Sequence, residues 1–386
     1  MKFEKKSKFL EEIGILNLWG KEELTLPFKN QVTFLTGMNG SGKSSLLNVI
    51  FDSLICDPKK FLKPSTSKNR FWASRASFRS GLSLETLILP NIGKDVAGSP
   101  EVQSLLEDDI YDLEVIRKVQ DLFEETASES VITYINHDES LRGEWWRKHL
   151  TGSLDEDELK SIYDETFKNS PPLAFLFQED RTTLHNMENC SVDRTSFYWG
   201  MYRSSIDERF AYCRDAIQVK ESHLNKQMVQ EMSKLDGEFT FEDLLKNPGF
   251  KDAARDQKEI RKVISLLDGY FLESNKCIVR DEENKITLGC MDSNGNSDNE
   301  PQPISWELLS RGEKTLIYLF LAVYYYKDKT SLFLLDEPEI SFHVSWQKRL
   351  IRDLTKVAPN NQFIVATHSP SLVMDGWMPN CLELKA

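Results

Sequence analysis

The chain has 386 residues, 40% hydrophobic and 11% aromatic, enough to bury a sizeable core and to form two or three domains. Its 61 acidic residues outnumber 48 basic ones, a net charge of −13, which argues against a protein that coats nucleic acid indiscriminately. Six cysteines without C-x-x-C spacing exclude a zinc or disulfide framework, and no apolar run is long enough for a secretory signal or a membrane span, so a soluble, cytoplasmic protein is expected.

Residues 11–36 alternate in strand fashion with a turn near Gly20. The last of these strands, Val32-Thr33-Phe34-Leu35, runs into Gly37-Met38-Asn39-Gly40-Ser41-Gly42-Lys43-Ser44, which fits G-x-x-x-x-G-K-[ST], and Ser44-Ser45-Leu46-Leu47 opens a helix. Glycines in such a loop let backbone N–H groups wrap phosphates, and the helix N-terminus adds a partial positive charge. Lys43 is expected to reach the β- and γ-phosphates of ATP, Ser44 to ligate Mg²⁺, and Gly37, Asn39, Gly40, Ser41, Gly42 and Ser45 to complete the cradle.

Residues 57–80 are basic and aromatic (Lys59, Lys60, Lys63, Lys68, Arg70, Phe71, Trp72, Arg75, Phe78, Arg79). They read as a solvated edge strand of an antiparallel lobe, or else as a patch for a phosphate-rich partner. Residues 91–100 are loop-like, 101–125 have helical spacing, and 138–170, around Trp145-Trp146, are charged and read as helical. Leu173 to Phe177 reads as a strand ending at Gln178-Glu179-Asp180-Arg181. Residues 203–235 and 250–272 form two long helical stretches separated by Asn247-Pro248-Gly249, a short antiparallel arm or a helical lid. A hairpin follows, Lys276 to Arg280 and Lys285 to Met291, and then a polar loop from Asp292 to Glu300. No internal repeat is visible.

Ser310-Arg311-Gly312-Glu313 precedes an apolar helix, Lys314 to Tyr326. Ser310 and Glu313 fit a capping box, and a Ser and a Gly at a helix N-terminus also make a second anion site; both readings can hold. One chain has no obvious use for two γ-phosphate sites, whereas a head-to-tail homo-oligomer, at least a dimer, would let Ser310 and Gly312 of one copy cap the nucleotide of the other. The strand Leu332-Phe333-Leu334-Leu335 runs into Asp336-Glu337, where Asp336 is expected to hold Mg²⁺ through water and Glu337 to act as general base. A last buried strand, Phe363 to Ala366, is followed by His368, expected to contact the γ-phosphate.

GMNGSGKSS, LLSRGEK, LFLLDEPEISFHVSWQ and IVATHSP together resemble an ABC-type ATPase head of the structural-maintenance-of-chromosomes (SMC) and overcoming-lysogenisation-defect (OLD) kind, over roughly the first 55 and last 115 residues. DEPEISFHVSWQ is most similar to the ATPase subunits of bacterial antiphage systems such as PARIS and Septu. The resemblance implies that Gln178 reaches Mg²⁺ and the attacking water, a polar turn being the alternative, and that Arg181 is a candidate phosphate contact. The chain departs from the transporter branch at His343, where transporters have Asp, and at Ser-Arg-Gly-Glu, where they have Ser-Gly-Gly-Gln.

The implied fold is an α/β P-loop head with a flanking antiparallel β lobe and a helical insertion. Residues 1–95 would form the N-terminal part of the head, 96–170 a helical insertion, 171–194 the Gln178 strand, 195–272 the arm and 273–386 the C-terminal part of the head. The implied function is an ATPase that holds or activates a separate nuclease or toxin effector of the TOPRIM or HNH type, triggered by a phage protein or DNA. A DNA-repair or clamp ATPase acting directly on DNA is the alternative. With the sequence ending at Ala386, soon after His368, no nuclease fold is expected within the chain itself.

Overall fold

The computed structural model describes residues 8–18, 21–54, 72–90, 130–138, 144–152, 155–162, 173–178, 205–234, 240, 244, 246–291 and 301–384. In chain order the elements are β1 (Leu10–Leu18), β2 (Lys21–Pro27), β3 (Val32–Thr36), α1 (Lys43–Leu54), β4 (Trp72–Phe78), β5 (Ser83–Pro90), β6 (Ser130–Asp138), β7 (Glu144–Gly152), α2 (Glu156–Ile162) and β8 (Ala174–Gln178). Then come α3 (Ile206–Ser233), α4 (Pro248–Phe271), β9 (Lys276–Arg280), β10 (Ile286–Cys290), β11 (Gln302–Pro303), α5 (Arg311–Tyr326), β12 (Leu332–Asp336), α6 (Val344–Val357), β13 (Gln362–Ala366) and β14 (Cys381–Glu383). They divide between two compact units, the first made of Met1–Arg203, Asp328–Pro338 and Asn360–Ala386, the second of Ser204–Lys327 and Glu339–Pro359.

The first unit contains a five-stranded, wholly parallel sheet in the order β14-β3-β13-β12-β8. Its strands are short continuous apolar runs because both faces are covered: every residue of β12 and β13 is buried. A six-stranded antiparallel sheet, β2-β1-β4-β5-β7-β6, forms the expected β lobe. Helix α1 packs against strands of both sheets. It is therefore buried nearly all round, polar Asn48, Asp52 and Ser53 included, with Leu46, Leu47, Val49 and Ile50 fully buried. Each such side chain contributes about 1.5–3 kcal/mol of burial free energy.

The second unit is mainly helical. Helix α3 packs against α4 and α5, and α5 against α4 and α6. Helix α3 opens on a capping box, in which the Ser205 hydroxyl accepts from the Glu208 N–H and the Glu208 carboxylate accepts from the Ser205 N–H. Asn247 caps α4, with Pro248 at its first turn, so the break expected at Asn247-Pro248-Gly249 is a helix start. The apolar stripe of α4 (Ile260, Val263, Leu267, Phe271) is buried. Tyr270 and Phe271 meet Trp346 edge to face. The expected hairpin forms as β9–β10, with Ile286 opposite Arg280 and Cys290 opposite Lys276.

Two expectations are corrected. Residues 138–170, read as charged and helical, hold strand β7, which pairs with β5 and β6, before the short α2. The aromatic and β-branched content of Ser130–Asp138 and of Glu144–Gly152 suits a pleated ladder better than a helix, and charge density on the strands masked the alternation. Strand β4, read as a solvated edge, lies inside the sheet between β1 and β5, with Trp72, Ala76 and Phe78 buried. Its Arg75 is matched by Glu85 on β5, Nε to Oε1 at 2.7 Å, so this cation is consumed across the ladder. Lys59, Lys60, Lys63, Lys68, Arg70 and Arg181 lie outside the described residues, as do the helix expected at 101–125 and the loop 292–300.

Candidate nucleotide site

Parallel pairing places one end of four adjacent strands in a single row. Asp336 is opposite Gln178 on β8 and opposite Ala366 on β13, and Ala366 is opposite Leu35 on β3. All four strands run the same way, so the residues that follow them emerge together at the carboxyl edge, where ligands bind in open α/β sheets. The loop after β3 is the glycine-rich one. Gly37, Gly40 and Gly42 have φ of 143°, 81° and 88°, values that strain any residue with a side chain. At Gly37 space is a second reason, since a Cβ would lie 2.6 Å from the Leu384 carbonyl oxygen.

Lys43 begins α1 and is buried, its ammonium folded back onto the loop. Nζ donates to the carbonyls of Gly37 at 2.9 Å and Met38 at 3.1 Å. Burial pulls this ammonium below the ordinary lysine range, and the carboxylates of Glu337 and Asp336 act in the opposite sense. Next to it, Ser44 Oγ donates to Asp336 Oδ1 at 2.9 Å. The other oxygen, Oδ2, accepts from Gln178 Nε2 at 3.1 Å. A hydroxyl, a carboxylate and an amide from three separate chain segments thus meet at Asp336.

A second chain of contacts runs through the imidazole. Lys43 Nζ lies 3.4 Å from His368 Nδ1, and His368 Nε2 lies 3.3 Å from Glu337 Oε1. Because the ammonium donates only, Nδ1 accepts and the ring proton sits on Nε2, facing the carboxylate. Glu337 has φ of 47°, left-handed backbone rare for a residue with a long side chain, and its N–H donates to the Ala366 carbonyl at 2.9 Å. The turn after β12 is thereby stitched to the end of β13, which carries His368. Neither the left-handed Glu337 nor the Lys43–His368 contact has a signature in the sequence, because backbone handedness at a non-glycine and a contact across 325 positions depend on tertiary packing.

The remaining predicted residues lie in the second unit. Ser310 caps α5, its hydroxyl accepting from the Glu313 N–H at 3.3 Å while Glu313 Oε2 accepts from the Ser310 N–H at 2.8 Å. The expected capping box is therefore present. Gly312 follows for steric reasons: a Cβ there would lie 2.5 Å from the Ser341 carbonyl oxygen. His343, the departure from the transporter pattern, caps α6, its Nδ1 accepting from the Ser345 N–H.

Residues 196–375 match the family model described as "AAA domain, putative AbiEii toxin, Type IV TA system". Over those residues, a little under half of the chain, it is similar to an AAA-type ATPase domain. The matched stretch includes Ser310, Asp336, Glu337 and His368 and begins well after the Lys43 loop. The chain is also 41% identical over 59 residues to Endonuclease GajA of Bacillus cereus (strain VD045), covering 15% of this chain and 10% of that protein. It is 37% identical over 75 residues to "Retron Ec83 probable ATPase" of Escherichia coli, covering 17% of this chain and 14% of that protein. The chain thus matches only a small fraction of either relative's length. Among solved structures, an SMC head bound to the C-winged helix domain of ScpA aligns at a TM-score of 0.42 and 14% identity, over 97% of this chain and 94% of that one. The SMC head domain from Thermotoga maritima aligns at 0.39 and 16%, over 95% and 91%.

Proposed function

We propose that this ATPase binds ATP with Mg²⁺ at the Lys43 loop, hydrolyses it with Glu337 as general base, and closes head to tail with a second copy, the assembly holding or activating a separate nuclease effector in antiphage defence. The observation that carries the reading is the convergence of Lys43, Ser44, Gln178, Asp336, Glu337 and His368, through direct side-chain contacts, at the carboxyl edge of one parallel sheet.

The donors fit the implied cation, because the Ser44 hydroxyl, the Asp336 carboxylate and the Gln178 amide offer the hard oxygen atoms that Mg²⁺ prefers. When bound, that ion would neutralise charge on the phosphate oxygens. Ser44 and Asp336 would hold it, directly or through water. Lys43, buried and now bonded to loop carbonyls, is the cation for the β- and γ-phosphates. Glu337 orients water and takes its proton on the carboxylate. His368, with its Nε2 proton toward Glu337 and Nδ1 toward Lys43, keeps that carboxylate facing the loop.

The effector part of the reading is supported by the name of one relative, an endonuclease, and by the toxin and retron descriptions of the others. A phage protein or DNA is the trigger in this scheme, and a TOPRIM or HNH protein the effector. Calorimetry of the full chain with ATP and Mg²⁺ tests the core: micromolar-range binding is expected, lost in Lys43→Ala. Unchanged affinity in that variant removes the nucleotide assignment. Steady ATP turnover that rises with DNA alone, and no nuclease recovered with the protein from its host, would favour direct action on DNA instead.

A further inference from the structure

The carboxylate that caps α5 stands at the place where the proposed scheme needs positive potential. Glu313 is buried, in the first turn of the helix, and its Oε2 is committed to the Ser310 N–H. An unscreened negative charge there would cancel the favourable field of the helix end and repel a phosphate approaching Ser310. The other oxygen, Oε1, receives the ammonium of Lys276 at 2.7 Å. Burial opposes ionisation of Glu313, but the hydrogen bonds from Lys276 and from the Ser310 backbone outweigh it, and the group is held below the usual carboxylate range. Lys276 is the first residue of β9 and is itself one-quarter exposed. It follows Asn275, whose left-handed backbone (φ 53°) turns the chain from the end of α4 into the hairpin. The neighbouring Lys314 faces elsewhere, bonding Asp207 at 2.6 Å in the first turn of α3. Among the described residues, Lys276 is the basic side chain that meets the capping carboxylate.

We propose that Lys276 is a positioning residue for ATP hydrolysis. By neutralising and orienting Glu313, it keeps the Ser310 cap both rigid and receptive to the nucleotide of the partner copy. The pair also ties the start of the hairpin, and through it the C-terminal end of α4, to that cap. This inference rests on the shared-site reading of Ser310 given above.

The experiment measures steady-state ATP turnover and ATP affinity for the full-length protein and four variants. Lys276→Met is expected to lower kcat roughly 10- to 100-fold, the range that small misplacements of a positioned group produce, with KM and ATP affinity within about twofold of wild type because Lys43 is untouched. Lys276→Arg should retain most of the turnover. Glu313→Gln in the Lys276→Met background should recover turnover, since the amide still caps Ser310 but carries no charge; a purely structural role would make that double variant worse. Wild-type kcat in Lys276→Met, or no recovery in the double variant, overturns the proposal. Ser310→Arg keeps the two readings apart: if it turns over normally the shared site itself fails, and if it is inactive while Lys276→Met is normal only the role of Lys276 fails.

Discussion

Ser44 and Asp336 lie 292 positions apart in the chain and are joined by one hydrogen bond of 2.9 Å. The contact exists because β3 and β12 flank β13 in a parallel sheet, so the loop after one strand and the last residue of the other meet at the same edge. The roles proposed for Lys43, Ser44, Gln178, Asp336, Glu337 and His368 follow from that edge. The Ser44 loop supplies the Lys43 ammonium and amide donors, and the Asp336 turn supplies acids.

The clearest separation of binding from chemistry is expected at Glu337. Glu337→Gln keeps the size of the side chain and an oxygen toward His368 but removes the base. ATP affinity is expected to stay near wild type while turnover falls on the order of 10²–10⁴-fold. Phosphate-release assays beside calorimetry check both halves; unchanged turnover would make Glu337 a structural residue of the turn.

The shared site predicts complementation. Ser310→Arg should bind ATP yet not hydrolyse it, and Lys43→Ala should not bind it. A mixture can assemble one interface with an intact Lys43 loop from one copy and an intact Ser310 cap from the other. Turnover in the mixture is expected to exceed that of either variant alone. No gain in a mixture shown to form mixed oligomers argues that each chain works by itself.

The parallel sheet and the strand ends that carry Lys43, Asp336, Glu337 and His368 could be read in the sequence, because a strand buried on both faces is a run of four or five apolar residues with a polar stop. The capping box at Ser310 could be read for the same local reason: three residues of spacing define it. Strand β7 could not. Glu144, Arg147, Lys148 and His149 flank Trp145-Trp146 in a pattern that charge counting assigns to a solvated helix, and one of its two pairing partners, β5, lies far back in the sequence. The Lys276–Glu313 pair was equally hidden, since a lysine opening a hairpin gives no hint of a carboxylate 37 positions later.

Gly312 is expected to tolerate no side chain. Its Cα faces the carbonyl of Ser341, a residue held at φ 70°, and backbone on both sides leaves little freedom to give way. Gly312→Ala should destabilise the fold by about 1–3 kcal/mol, the usual penalty of overpacking, and should disturb the Ser310 cap. Urea midpoints and ATP turnover measured together test this. A stable variant with normal turnover would show that the Ser341 carbonyl moves aside without consequence.

The acid limb of stability should carry the signature of Asp353. This carboxylate is buried on α6, where Tyr270 Oη donates to Oδ2 at 3.1 Å, Arg349 Nε to Oδ2 at 2.9 Å and Lys356 Nζ to Oδ1 at 2.7 Å. Burial opposes its ionisation, yet the hydrogen bonds from Lys356 and Arg349 prevail and the group is held below the usual aspartate value. A pKa lower in the folded than in the unfolded chain gives stability that is complete above the unfolded value of about 4, and that is lost as pH falls through the folded value. Lys356 is half exposed and Arg349 about one-third exposed, so solvent screens part of both contributions. Asp353→Asn should therefore cost about 1–3 kcal/mol at pH 7 and make stability less sensitive to pH below about 4. Urea unfolding of wild type and variant from pH 3 to 7 checks it: the two curves should converge toward acid, and parallel curves would mean that the Asp353 charge contributes nothing to the fold.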